Sequence, residues 1–139
     1  MANLKDSLLK HLSEEVYCRL GVSETHGVGV FALRVIPKGI SPLTSRVKKR
    51  EIRISREELF SLPKGVRSQL ERFCFHDKGT YYVPSTGFNT MDLAVYLNHS
   101  KKPNLRFTKR GALKSLKRIR RGEELTIDYD ESFGGKHRF

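Results

Sequence analysis

Tyr129 closes the run Gly122-Glu123-Glu124-Leu125-Thr126-Ile127-Asp128-Tyr129, and the segment Asn98-His99-Ser100-Lys101-Lys102-Pro103-Asn104 precedes it. A phenol hydroxyl, helped by backbone carbonyls, can orient a lone pair and support a polarised carbon without acting as a strong base. Taken alone, the tyrosine reads as an ordinary strand residue, and Asn98-His99-Ser100 as a turn or helix start. Upstream, His26-Gly27-Val28-Gly29-Val30-Phe31-Ala32 leads to Pro37-Lys38-Gly39. Glycines at 27 and 29 would let the backbone approach a ligand closely, because no Cβ intervenes; an isolated Gly-x-Gly is more often a flexible turn.

In this order the three motifs resemble the signature of SET-domain lysine methyltransferases, over roughly residues 15 to 133, and most of all the short stand-alone SET proteins of viruses and bacteria. The stretch from Ser41 to Thr90 carries no such motif. The resemblance implies a mainly β chain of the β-clip (SET) class, with small curved sheets around a C-terminal pseudoknot and a short helical insert. Such a crossing is one of the rare exceptions to unthreaded chains. The implied activity is S-adenosylmethionine-dependent N-methylation of protein lysine. The resemblance makes Tyr129 the catalytic residue, and Gly27, Val28, Gly29, Asn98, His99 and Phe133 the cofactor-binding set, with Asn98 on the amino-acid part and His99 at the adenine edge. Phe73, Tyr81, Tyr82 and Ile127 are the expected substrate channel. Pro103 and Asn104 are expected to fix the loop of the knot, with Glu124 a structural charge near it.

Several positions depart from the family pattern. Lys101 stands where the family often has cysteine, and Ile127 where a Phe or Tyr tunes the number of methyl groups added. Phe73 stands where a second channel tyrosine is usual, and Tyr81 or Tyr82 could substitute for it. Phe133 and Phe139 are the aromatics available to cover the adenine. A lysine amine titrates near about 10.4, so transfer requires that desolvation and the nearby sulfonium favour its neutral form.

The elements that must position these residues are short runs rich in β-branched and aromatic residues: 16–20, 28–35, 47–54, 80–83, 105–107, 112–119 and 125–129. Leu4, Leu8, Leu9 and Leu12 recur at helical spacing. Ser55 and Glu58 form a capping box ahead of Leu59, Phe60 and Leu62, with Pro63-Lys64-Gly65 as the expected stop. A second helix is expected from about Val66 to Phe75. The division is therefore an N-terminal amphipathic helix or tail at 1–14, the SET domain at 15–133 and a flexible tail at 134–139.

With 139 residues the chain can bury a single core. Lys plus Arg number 27 against 15 Asp plus Glu, a net charge of +12 that attracts nucleic acid or acidic partners. The clusters are Arg46 to Arg56 and Lys109 to Arg121, readable equally as a solvated face. Asp128, Asp130 and Glu131 are expected to place negative charge near the channel mouth. Cys18 and Cys74 have no metal spacing and the five histidines are scattered, so no metal is expected, and a reducing, intracellular, soluble location fits. That means a prokaryotic cytoplasm, or a nucleus (a host's included) if the target is a histone. No apolar run suggests a membrane span or signal peptide. The expected partner is a protein with a lysine-bearing segment, a histone or similar, with nonspecific nucleic-acid contact and a homodimer both compatible. Two alternatives stay open: a basic nucleic-acid-binding module with a SET fold and little catalysis, and a methyltransferase of a ribosomal or translation protein.

Overall fold

A computed structural model describes residues 3–44, 51–74, 76–90, 92–109 and 111–133. The basic residues Arg46, Lys48, Lys49, Arg50 and Arg110, the start of the run at 47, and the tail with Phe139 lie outside the described residues. The chain divides into two units, residues 1–47 with 92–139 and residues 48–91.

The first unit begins with helix α1 (Leu4–Glu14), which starts where the Asn3 side chain accepts the Asp6 N–H. Its apolar stripe stays uncovered by this chain: Leu4, Leu8, Leu9 and Leu12 are all exposed. Strands β1 (Cys18–Val22) and β2 (Val28–Ala32) form an antiparallel hairpin. Its turn closes with the Ser23 N–H on the Gly27 carbonyl, and Gly27 takes a φ of 49°, the left-handed region that a glycine enters without strain. The β1 run lies two residues later than its composition predicts, and β2 ends at Ala32.

Within the same unit, β6 (Asn98–His99) pairs in parallel with β9 (Glu124–Ile127), extending a four-stranded sheet in the order β1-β2-β9-β6. Asn98-His99 is therefore strand, not a turn or helix start. Its conformation is imposed by a ladder partner more than twenty residues away, which local propensity cannot see. The short pair β7 (Leu105–Phe107) and β8 (Leu113–Ser115) completes the strands of this unit. Val30, Ile36, Leu97, Leu105, Ile119, Leu125 and Ile127 form its core. The Pro37-Lys38-Gly39 turn is tied to β8 by the Ser115 hydroxyl, which donates to the Pro37 carbonyl at 2.6 Å. Strand β9 stops at Ile127. Asp128 then opens helix α4 (Tyr129–Phe133), so Tyr129 begins a helix and does not end a strand, because the Asp128 carboxylate captures the N–H groups of Asp130 and Glu131.

The second unit holds β3 (Glu51–Ile54), β5 (Thr80–Pro84) and β4 (His76–Asp77) in the sheet order β3-β5-β4, with α2 (Arg56–Phe60) and α3 (Lys64–Phe73). The capping box is present in full: the Ser55 hydroxyl accepts the Glu58 N–H and the Glu58 carboxylate accepts the Ser55 N–H, both at 3.1 Å. Ser55→Ala should lower stability by about 1 kcal/mol, read by denaturant unfolding. Pro63-Lys64-Gly65 does not act as the stop. Helix α2 already ends at Phe60, with Ser61 as its C-cap, and Pro63 caps the start of α3, where a residue without an N–H costs nothing. Leu59, Leu70 and Cys74 are the core of this unit.

Both cysteines are free, and burial pushes each thiol up to about 11, with the Glu51 carboxylate adding to the effect at Cys74. Among the described residues no helix is long and apolar enough to cross a membrane.

Candidate active site

The first unit brings Gly27, Val28, Gly29, Asn98, His99, Ile127 and Tyr129 together through one connected network. Asn98 is buried, and its amide nitrogen donates to the His26 carbonyl (3.1 Å), the Val28 carbonyl (3.2 Å) and the Glu124 carboxylate (2.8 Å). Three acceptors around one nitrogen fix the amide orientation. The Ser23 hydroxyl donates to the same carboxylate at 2.7 Å and accepts the N–H groups of Thr25 and His26. Glu124 thus joins the β1–β2 turn to the Asn98 strand. A cavity of about 350 Å³ lies against it, lined by Val22, Glu24, Thr25, Phe31 and Gly122.

The two glycines serve different ends. A Cβ at Gly29 would collide with the Glu124 carboxylate and lie 3.1 Å from the Asn98 amide nitrogen, so the close approach that glycine allows here is to the protein's own side chains. A Cβ at Gly27 would meet nothing within 4 Å; that turn is open, and its glycine answers to the positive φ.

His99 and Tyr129 are in direct contact. The His99 Nδ1 accepts the Tyr129 N–H at 3.0 Å, and the rings lie 5.4 Å apart at 60°. An accepting Nδ1 carries no proton, so the neutral ring holds its hydrogen on Nε2 and presents a donor there. The Tyr129 hydroxyl donates to the Leu97 carbonyl, and burial pushes the phenol up, which keeps it protonated. Asn104, also buried, donates to the Glu124 carbonyl at 2.8 Å and accepts the Thr126 N–H at 2.8 Å. The segments 98–104 and 124–129 therefore run side by side, bound from both ends. Ile127 is in the core, its carbonyl accepting the Ser100 N–H.

The expected acidic patch is largely neutralised within the chain. Lys101 bridges Asp128 (3.3 Å) and Asp130, and Arg106 pairs with Glu131. Burial pushes the Asp128 carboxyl up, yet hydrogen bonds from the Glu131 N–H, the Lys101 ammonium and the Asp130 N–H outweigh it and hold the group below the usual carboxylate range. His99, Asp128 and Asp130 place three potential metal-ligand atoms within 4.8 Å of one another, but the Lys101 ammonium already lies against both carboxylates.

Phe73, Tyr81 and Tyr82 belong to the second unit. Tyr81 packs on the Leu59–Leu70–Cys74 core and 4.9 Å from the His76 ring, whereas Tyr82 points to the other face of β5 beneath the Arg53 guanidinium. Phe73 ends α3 half-exposed, and Phe133 ends α4. Lys114, Lys117, Arg118, Arg120 and Arg121 are exposed. Sequence reasoning missed Ser23 altogether and left Glu124 a loosely placed charge. No local signal marks either residue, because Ser23 and Glu124 meet across 101 positions.

A SET-domain family profile matches residues 27–130. No curated protein matches the sequence. Among solved structures, one of a Plasmodium falciparum candidate histone methyltransferase is similar at 20% identity and a TM-score of 0.56, covering 86% of this chain and 98% of that one. Two structures of a humanized mutant of the Chaetomium thermophilum Polycomb Repressive Complex 2, bound to the inhibitors GSK126 and GSK343, are similar at 23% identity with TM-scores of 0.57 and 0.59. They cover 89% and 95% of this chain, which spans 16% and 17% of theirs.

Proposed function

Because the chain belongs to the SET-domain family, we propose that it is an S-adenosylmethionine-dependent protein-lysine N-methyltransferase acting on a histone or another basic, nucleic-acid-associated protein. The observation that carries this reading is the junction of the Asn98-His99 strand, the Gly27 turn and Tyr129 in one hydrogen-bonded unit. Two features support a place for the cofactor: space is open around the Gly27 turn, and His99, with its Nδ1 accepting the Tyr129 N–H, presents an Nε2 donor. When bound, S-adenosylmethionine supplies a methyl group on a positive sulfonium. Asn98 holds the 26–28 backbone in place for it, and His99 orients both its own ring and the Tyr129 backbone.

Tyr129 is a neutral hydroxyl, because burial favours its protonated form. It can position an amine by hydrogen bonding and is a poor base at neutral pH. The target amine must therefore arrive deprotonated through desolvation and through solution pH. Likeness to a candidate histone methyltransferase favours histones among the basic targets, and the +12 charge favours targets met on nucleic acid.

Incubation with labelled S-adenosylmethionine, core histones, ribosomal proteins and lysine peptides, followed by mass mapping, tests this directly. Label is expected on protein lysine, with a rate that rises between about pH 7 and 10 as the amine loses its proton. Absence of label, together with no calorimetric binding of S-adenosylmethionine or its homocysteine product, would leave a nucleic-acid-binding module as the better account.

A further inference from the structure

We propose that the β7–β8 hairpin and the segment that follows it, residues 105–121, form a surface that grips the phosphodiester backbone of double-stranded nucleic acid without reading its sequence. This inference makes specific the reading of targets met on nucleic acid, and it stands on binding alone, whether or not the chain transfers methyl groups. Residues 105–121 contain no Asp or Glu. In the β7–β8 pair Leu105, Phe107 and Leu113 pack on the first core, so Arg106 and Lys114 stand on the outer face, directly opposite each other. Like charges in that position work against strand pairing, and a bound anion relieves them. Past β8 the burial pattern continues: Ser115 and Ile119 are buried, while Lys117, Arg118, Arg120 and Arg121 are exposed.

The backbone beneath these cations is fixed before any ligand arrives. Ile36 and Ile119 exchange N–H···O bonds in both directions (2.9 and 2.8 Å), and Ser115 is tied to Gly39 and Ile40 (2.9 and 2.8 Å). Exposed Lys38 falls between those ties, on the strip of chain alongside. Two cations are answered within the chain, Arg106 by Glu131 and Arg120 by Glu123 at 3.7 Å. No ion pair to Lys114, Lys117, Arg118 or Arg121 occurs among the described residues. From Lys114 to Arg121 an extended chain spans at most about 25 Å. A row of that length suits a linear polyanion, with a phosphate at about every 3.4 Å of each strand, better than a single acidic side chain. The segment offers no ring on which a base could stack, since its one aromatic, Phe107, packs inward. Single-strand binding rests on such rings, so the backbone of a duplex is the ligand that fits.

Fluorescence anisotropy of the full chain with a short mixed-sequence DNA duplex, its RNA counterpart and the separate strands, across a salt series, tests this. A duplex is expected to bind more tightly than its single strands, with little dependence on base sequence and a steep fall as salt rises; the tighter of the two duplexes identifies the source. Lys117→Ala, Arg118→Ala and Arg121→Ala combined should weaken duplex binding roughly 10-fold or more near physiological salt. They should also flatten the logarithmic salt slope by about 2 to 3, since each phosphate contact contributes about 0.9. Because these side chains are exposed, the melting temperature should barely change. A control that removes the same charge from other exposed sites, Lys5→Ala, Lys10→Ala and Lys64→Ala, should keep most of the affinity and nearly all of the slope. Equal losses in both triple variants would overturn the inference, since binding would then follow net charge and not this surface. Tighter binding of single strands, or no duplex binding at low salt, would overturn it as well. So would a poly-glutamate peptide that competes on equal terms, which would mark an acidic protein as the partner. If the wild-type chain methylates nothing but loses duplex binding only in the 117/118/121 variant, the enzyme reading fails and the surface stands.

Discussion

Tyr129→Phe is expected to keep the fold and the cofactor affinity while slowing methyl transfer by about 100-fold or more, the pattern of a group that acts chiefly in the transition state. The change removes one oxygen. That oxygen donates to the Leu97 carbonyl, so the phenyl ring remains packed against the first core while the hydroxyl that fixes its rotation and its lone pairs disappears. The cost to folding should be about 1 kcal/mol, the usual net worth of a single hydrogen bond. Single-turnover kinetics with calorimetry of S-adenosylmethionine and a melting curve check all three quantities. A variant that transfers methyl as fast as wild type would exclude Tyr129 as the reacting tyrosine.

Gly29→Ala should destabilise the first unit by about 1 to 3 kcal/mol through overpacking, since its new Cβ would stand 3.0 Å from the Glu124 carboxyl carbon and 3.1 Å from the Asn98 amide nitrogen. Neither neighbour can move cheaply. Glu124 is held by Ser23 and Asn98, and Asn98 in turn holds the His26 and Val28 carbonyls. Glu124→Ala alone should also destabilise, by about 1 to 3 kcal/mol, because it removes the charged acceptor shared by the buried Asn98 amide and leaves the Ser23 hydroxyl without it. The double variant should be less damaged than the sum, as removal of the carboxylate relieves the clash that Gly29→Ala creates. Denaturant unfolding of the four proteins gives the coupling directly; strictly additive losses would mean that Glu124 does not set the need for glycine at 29.

Elements whose determinants lie within a turn of one another were legible in the sequence. The Ser55–Glu58 capping box is an example, because both hydrogen bonds span three residues and need nothing from the rest of the chain. So was the β7 strand at 105–107, where Leu105 and Phe107 alternate with Arg106 and the run pairs with its immediate successor. The helix start at Pro63 was misread as a stop, since proline punctuates either end and only the following turn shows which. The run ending in Tyr129 was misread as strand throughout: its β-branched composition ends at Ile127, but the competing pull of Asp128 on the N–H groups ahead of it becomes visible only once α4 is seen.

By itself the sequence determined the family and the mainly β character, and it marked Asn98 and His99 as cofactor-binding candidates and Tyr129 as the catalytic one, because motif order and local pattern survive without coordinates. The tertiary structure decided how those residues are held. Ser23 meets Glu124 across 101 positions, Asn98 meets it across 26, and Lys101 reaches Asp128 across 27. Contacts at such separations depend on strand pairing and on the parallel run of 98–99 beside 126–127, and no local propensity encodes them. Glycine at 29 illustrates the division: its presence is written in the sequence, whereas its reason, a carboxylate pressed against its Cα from another strand, exists only in the fold.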